Sequence, residues 1–205
     1  MSKQGDRRNS SAAWNKRILF RLVPAVLLFA LSGCWLIGGT GEPVEKQVFD
    51  IMDTDVSVRA YGPNAEQAIE QAIDEIRRLD LLLSAYNPDS EVSAINQMAG
   101  EAPVKVSHDT LEVIARALYF AEISGGVFDP TILPVSRLWS AAREQKQVPS
   151  GEDIAAALEL VDYTQVQIDM DEATVFLPKT GMGLDLGAIA KGYAVDKMAQ
   201  ILRDA

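Results

Sequence analysis

Three short segments carry residue types that could bind or transform a ligand. The first is Leu184-Asp185-Leu186-Gly187-Ala188-Ile189-Ala190-Lys191-Gly192-Tyr193, where a glycine-bearing turn feeds a helix. Unpaired N–H groups at a helix start attract phosphate oxygens, and the helix dipole adds to that attraction. Lys191 lies one turn further on, within reach of the same anion. Asp185 would repel a bare phosphate, so it belongs beside a metal ion or a hydroxyl. An aspartate capping an ordinary helix explains the same residues. The second segment is Gly125-Gly126-Val127-Phe128-Asp129-Pro130-Thr131. Its glycines allow close approach of backbone to a ligand. The proline holds Asp129 extended, where its carboxylate can accept from a base amine or sugar hydroxyls. A turn aspartate bonding its own backbone fits equally well. The third is Ser84-Ala85-Tyr86-Asn87-Pro88-Asp89-Ser90. Tyr86 closes a helix and opens a turn, so its ring can stack on a planar ligand or close the core, and spacing alone favours the core.

Other chemistry is excluded by what is missing. The glycines at 181, 183 and 187 lack both the Walker spacing and the dinucleotide fingerprint. His108, the sole histidine, falls in the first turn of a helix, where a surface or capping role is expected. No His/Cys cluster has zinc spacing, and there is no nucleophile elbow. No catalytic residue can be named from the sequence, and Leu138-Trp139 is expected to pack in the core.

The elements that must position these segments follow from periodicity. Val56, Val58 and Ala60 alternate with Ser57, Arg59 and Tyr61, a half-buried strand ended by Gly62-Pro63. Asn64, with Gln67 three residues on, predicts a capping box. Ala68, Ile69, Ala72, Ile73, Ile76, Leu79, Leu82 and Leu83 then mark an amphipathic helix of about five turns. Its charged residues read as a solvated face. Ser84 to Pro103 reads as a polar, turn-rich loop. Ser107 caps a second helix ending at Gly125-Gly126. Val127 to Trp139 has no clean period. Ser150 caps a third helix running to Leu160. Residues 166–168 and 174–177 form a hairpin around Asp171-Glu172, and a last helix starts near Ala188. Strand, helices, hairpin and helix make an α+β fold with a largely antiparallel sheet.

The first 33 residues read as an export leader. Six cations precede an apolar run from Leu22 to Leu31 that is shorter than the ~20 residues needed to span a bilayer. Leu31-Ser32-Gly33-Cys34 then matches a bacterial lipoprotein signal, with Cys34, the only cysteine, free to take the lipid. Residues 34–46 read as a flexible tether, and residues 47–205 as the domain. Trp35 after the cysteine points to the outer rather than the inner membrane, on the periplasmic side. Without the leader's six basic residues and one acidic residue, 13 of 19 basic and 28 of 29 acidic residues remain, a net charge of −15. Such a surface repels nucleic acid.

The order of four segments resembles the ApbE family of FAD:protein FMN transferases. They are Met52-Asp53-Thr54, Tyr86-Asn87-Pro88-Asp89-Ser90, Phe128-Asp129-Pro130-Thr131 followed by Leu138-Trp139, and Asp185-Leu186-Gly187-Ala188-Ile189-Ala190-Lys191-Gly192. The resemblance implies a T-fold-like antiparallel sheet packed with helices, represented by its N-terminal portion. It implies magnesium-dependent transfer of FMN from FAD to a threonine hydroxyl of a target flavoprotein, such as a subunit of a membrane redox pump, with release of AMP. It places FAD contacts at Met52, Tyr86, Val127, Phe128, Asp129, Asp185 and Lys191, and a magnesium ligand at the backbone carbonyl of Ala188. Asp53 departs from the family's usual glycine. The family's later His-x-Ile-Asp-Pro segment, and the Asp and Thr side chains that complete its magnesium site, have no counterpart in these 205 residues. A chain ending at residue 205 would therefore lack activity. The alternatives are a non-enzymatic flavin- or partner-binding lipoprotein, or a variant that hydrolyses FAD.

Overall fold

The structure, a computed structural model, describes residues 41–205. The leader, Cys34 and the tether up to residue 40 lie outside the described residues. Residues 44–60 and 64–205 form one compact unit.

Strand β1 (Val44–Ile51) pairs antiparallel with β2 (Thr54–Ala60), Val48 facing Val56 and Val44 facing Ala60. Val58 is buried, as the alternation predicts. β1 itself is unforeseen: it starts three residues inside the stretch read as a tether, because pairing with β2 satisfies its backbone despite a polar sequence. The register shifts between Val48 and Ile51. There Asp50, Met52 and Asp53 take φ of 57°, 51° and 54°, left-handed values that side chains other than glycine rarely adopt.

Helix α1 (Ala65–Leu83) buries Ala68, Ile69, Ala72, Ile73, Ile76 and Leu79, the expected stripe. The expected capping box is absent. Asn64 has ψ of 8°, away from the extended value that aims a cap side chain at the first turn. Its amide donates instead to the Ala205 carbonyl at 2.9 Å.

The stretch 84–103 contains helix α2 (Glu91–Gln97), where a loop is expected. Ser90 is its cap, accepting from the Ser93 N–H at 2.9 Å while donating to the Ser84 carbonyl. Strand β3 (Val104–Lys105) leads to α3 (His108–Ile123), capped by Ser107 and followed by Gly125 and Gly126 at φ of 65° and 80°.

Helix α4 (Leu133–Glu144) occupies the segment without a clean period. Pro134 sits in its first turn, where a missing N–H costs no intrahelical bond. Trp139 is half exposed, not in the core. The reason is α4's position: it packs chiefly on α5 (Gly151–Leu158), a short helix without a single buried residue, so no apolar layer receives the indole. Ser150 caps α5 as expected. Strands β4 (Gln167–Asp169) and β5 (Thr174–Phe176) form the hairpin, and β3 joins it in the order β3-β5-β4. Helix α6 (Gly187–Asp204) lies along α1. The α+β class holds, with the antiparallel strands divided between two small sheets. Ile69, Ile73, Leu79, Ile114, Leu184 and Leu186 lie at the centre of the core, each contributing about 1.5–3 kcal/mol by burial.

Candidate functional site: a turn between two clefts

The turn before α6 is fixed from both sides. The Asp185 N–H donates to the Pro130 carbonyl at 2.8 Å, and Gly183 bridges Ile132. Leu184, fully buried, is held by the Asn96 side chain. Asp185 then folds over its own chain, one carboxylate oxygen accepting from the Gly187 N–H at 3.0 Å. The Ile189 and Ala190 N–H groups both donate to the Leu186 carbonyl. Of the first-turn donors only the Ala188 N–H is left without a protein acceptor among the described residues, fewer than the sequence suggests. The Lys191 ammonium is exposed, 3.5 Å from the Gly187 carbonyl.

Two clefts meet at this turn, and both are lined by Asp185 and Gly187. The first, about 270 Å³, is lined by Met52, Asp53, Leu83, Tyr86, Ala190 and Lys191 as well. The second, about 660 Å³, adds Val127, Phe128, Asp129, Leu158, Val161 and Ala188. Every residue singled out for FAD or metal contact therefore borders one of two cavities with a common wall.

Their individual settings differ. Tyr86 is 58 % exposed, so its ring does not close the core. Its hydroxyl donates to the second Asp185 carboxylate oxygen at 3.3 Å. Partial burial, then the Asp185 charge, raises its pKa, so at neutral pH Tyr86 is a donor and not a base. Met52 is buried beneath the first cleft, and Val127 is 92 % exposed at the second. Asp129 realises the turn-aspartate reading: one oxygen accepts from the Thr131 N–H at 2.8 Å and its hydroxyl at 2.6 Å, the other from the Tyr163 N–H at 3.1 Å. It builds the rim of the second cleft rather than offering a free carboxylate. Asn96 and Asp53 escaped the sequence reading as site residues. The signal for Asn96 was Val92 and Ile95 at helical spacing, hidden in a polar stretch.

Magnesium takes near-octahedral oxygen ligands. Around Ala188 the described residues offer its carbonyl and the half-committed Asp185, which do not make such a shell. The single cluster of three metal-ligand side chains among the described residues is elsewhere, at His108, Asp109 and Glu112. Its carboxylates are engaged: Tyr193 donates towards Asp109 at 2.6 Å and Glu112 at 2.8 Å, Arg78 pairs with Asp109, and Lys197 lies near both. This is a polar staple joining α1, α3 and α6, so Arg78 is not merely part of a solvated face. Partial burial pushes the Asp109 pKa up, but the Tyr193 and Arg78 bonds outweigh it and leave the carboxyl at about 2.

An α+β domain with a helix-start turn dividing two ligand-sized clefts is the class that this geometry defines. The chain matches the ApbE family over residues 52–205, and it belongs to that family. It is 35 % identical to the FAD:protein FMN transferase of Treponema pallidum, over 86 % of this chain and 52 % of that protein. It is 33 % identical to that of Klebsiella pneumoniae, over 75 % and 48 %. The crystal structure of an ApbE protein from Thermotoga maritima superimposes with a TM-score of 0.74 at 32 % identity, covering 80 % of this chain and 53 % of that one. The apo flavinyl transferase ApbE of Pseudomonas stutzeri gives 0.67 at 27 % identity, over 79 % and 52 %. The chain spans about half the length of the curated relatives it matches.

Proposed function

We propose that the protein is an FAD:protein FMN transferase. FAD lies across the shared turn, with its diphosphate at the start of α6 and its two ends in the two clefts. The observation that carries this reading is that Met52, Tyr86 and Lys191 on one side, and Val127, Phe128 and Asp129 on the other, border cavities with Asp185 and Gly187 in common. The Ala188 N–H and Lys191 attract the diphosphate oxygens. Asp185 accepts from a hydroxyl of the sugar or ribityl chain, and Tyr86, holding its proton, donates.

In the reaction a threonine hydroxyl oxygen of the target flavoprotein attacks the FMN-side phosphorus. A new P–O bond forms, the bond to the AMP phosphate oxygen breaks, AMP leaves, and the hydroxyl proton passes to solvent. Magnesium, when bound, offsets charge on the diphosphate. Among the described residues the Ala188 carbonyl would be a ligand to it. We place the enzyme on the periplasmic side of a membrane, lipid-anchored through Cys34, the outer membrane favoured, where it meets membrane redox-pump subunits.

The test uses full-length protein, FAD, magnesium and a candidate flavoprotein. The expected product is the acceptor threonine carrying FMN by mass spectrometry, with one AMP released per FMN transferred and loss of both on adding EDTA. FAD binding without AMP release would favour a non-enzymatic flavin-binding lipoprotein. AMP and free FMN without a modified acceptor would favour a hydrolase.

A further inference from the structure

We infer that Asn96 is a positioning residue for the ligand-binding turn, an inference that rests on the FAD reading above. Asn96 lies on α2, is nearly fully buried, and reaches a residue 88 positions along the chain. Its side-chain N–H donates to the Leu184 carbonyl at 3.0 Å, and its side-chain oxygen accepts from the Leu184 N–H at 2.6 Å. The paired donor and acceptor fix the amide's orientation, because a flipped amide would face like with like at both ends. The side chain thereby imitates a strand partner for one residue.

The place of that residue gives the clamp its function. Leu184 immediately precedes Asp185, one of the two residues common to both clefts. The Asp185 N–H is anchored to Pro130, on the side of the second cleft. Asn96 supplies the opposite anchor, from the helix that follows the Tyr86 loop. Ser90 ties that helix to the same loop through the Ser84 carbonyl. Ser84 in turn accepts from the Tyr86 and Asn87 N–H groups at 3.2 and 3.1 Å. Tyr86 and Asp185 meet at 3.3 Å in the lining of the first cleft, and this chain of contacts holds them there. Asn96 is not among the residues that line either cleft. It acts through Leu184, and its effect is on where Asp185 and the Ala188 N–H stand when FAD arrives. Buried groups with both partners made are costly to break singly, so the clamp is stiff.

The experiment compares full-length wild type with Asn96→Leu, which removes both bonds, and Asn96→Asp, which keeps the acceptor but sets a carboxylate oxygen against the Leu184 carbonyl. Val92→Ala, a fully buried position of the same helix away from the turn, is the control for general loss of stability. Amide exchange over residues 182–188 is measured without ligand. FAD affinity, and KM for FAD against kcat, are measured at a temperature where all four proteins are folded. Both Asn96 variants should exchange faster over 182–188 than Val92→Ala, and should bind FAD roughly tenfold more weakly or worse, with KM rising more than kcat falls. The inference is overturned if exchange over 182–188 matches the control. It is equally overturned if the wild type binds FAD and the Asn96 variants bind it as Val92→Ala does. A wild type that binds no FAD defeats the proposed function itself, whatever the exchange pattern.

Discussion

Gly183 has no room for a side chain, and the consequence can be worked out. A Cβ built there would lie 2.8 Å from Leu133 Cδ2, 3.2 Å from its Cβ and 3.3 Å from its Cγ. Carbon atoms pack best at about 3.5–4.0 Å, so the first contact is roughly 1 Å too close. Leu133 is fully buried and cannot swing into solvent. Gly183→Ala should therefore cost about 1–3 kcal/mol by overpacking. Leu133→Ala alone should cost about 2–5 kcal/mol through the cavity it leaves. In the double variant the clashing Cδ2 and Cγ are gone and the new methyl occupies part of the void. The combined loss should fall short of the sum by about 1–3 kcal/mol, a coupling expected only of residues in direct contact. Urea unfolding of the four proteins, followed by far-ultraviolet circular dichroism, measures the cycle. For a domain of this size each kcal/mol also moves the melting temperature by about 2–4 °C. Additivity within about 0.5 kcal/mol would show that the β5–α6 segment does not pack on α4 as described.

Three further outcomes follow. The Tyr193 and Arg78 bonds hold the Asp109 carboxyl at about 2, below the ordinary aspartate value of 3.8. Its stabilising effect is complete above the unfolded value and is lost as pH falls towards 2. The shift corresponds to at most about 2.4 kcal/mol, discounted to about 1 kcal/mol because its partner Arg78 is solvent-exposed. Asp109→Asn should flatten the acid limb of the stability–pH curve between pH 4 and 2, and an unchanged limb would refute this role. Ser90→Ala removes a helix cap and a buried donor, and should lower stability by about 1–2 kcal/mol in denaturant titration; a loss under about 0.3 kcal/mol contradicts the capping geometry. Lys191→Gln should weaken FAD binding roughly tenfold, with a smaller dependence on salt than wild type; equal affinity would remove Lys191 from the anion site.

The sequence made the long helices legible because each buries one unbroken stripe, as Ile69, Ile73 and Ile76 do on α1. The caps at Ser107 and Ser150 were readable for the same local reason. α2 was not, since a seven-residue helix offers too few apolar positions to show a period. β1 was hidden because its pairing partner, not its own composition, makes it a strand. Trp139 misled because an aromatic residue signals burial only where a core lies opposite. The site residues were named through motif order. What motif order could not convey was the common wall between the clefts, the inward commitment of Asp129, or the grip of Asn96, all of which depend on contacts between remote positions.

The link between Asn96 and Leu184 spans 88 positions, and this bears on how the molecule comes together in time. Closing so large a loop costs entropy before any contact repays it. The local hairpins and helices can form early, whereas the cradle at the start of α6 is completed only when distant segments have met. A ligand captured there cannot nucleate the chain, but it can lock the final arrangement. Added flavin dinucleotide should accordingly slow unfolding while leaving the rate of refolding nearly unchanged.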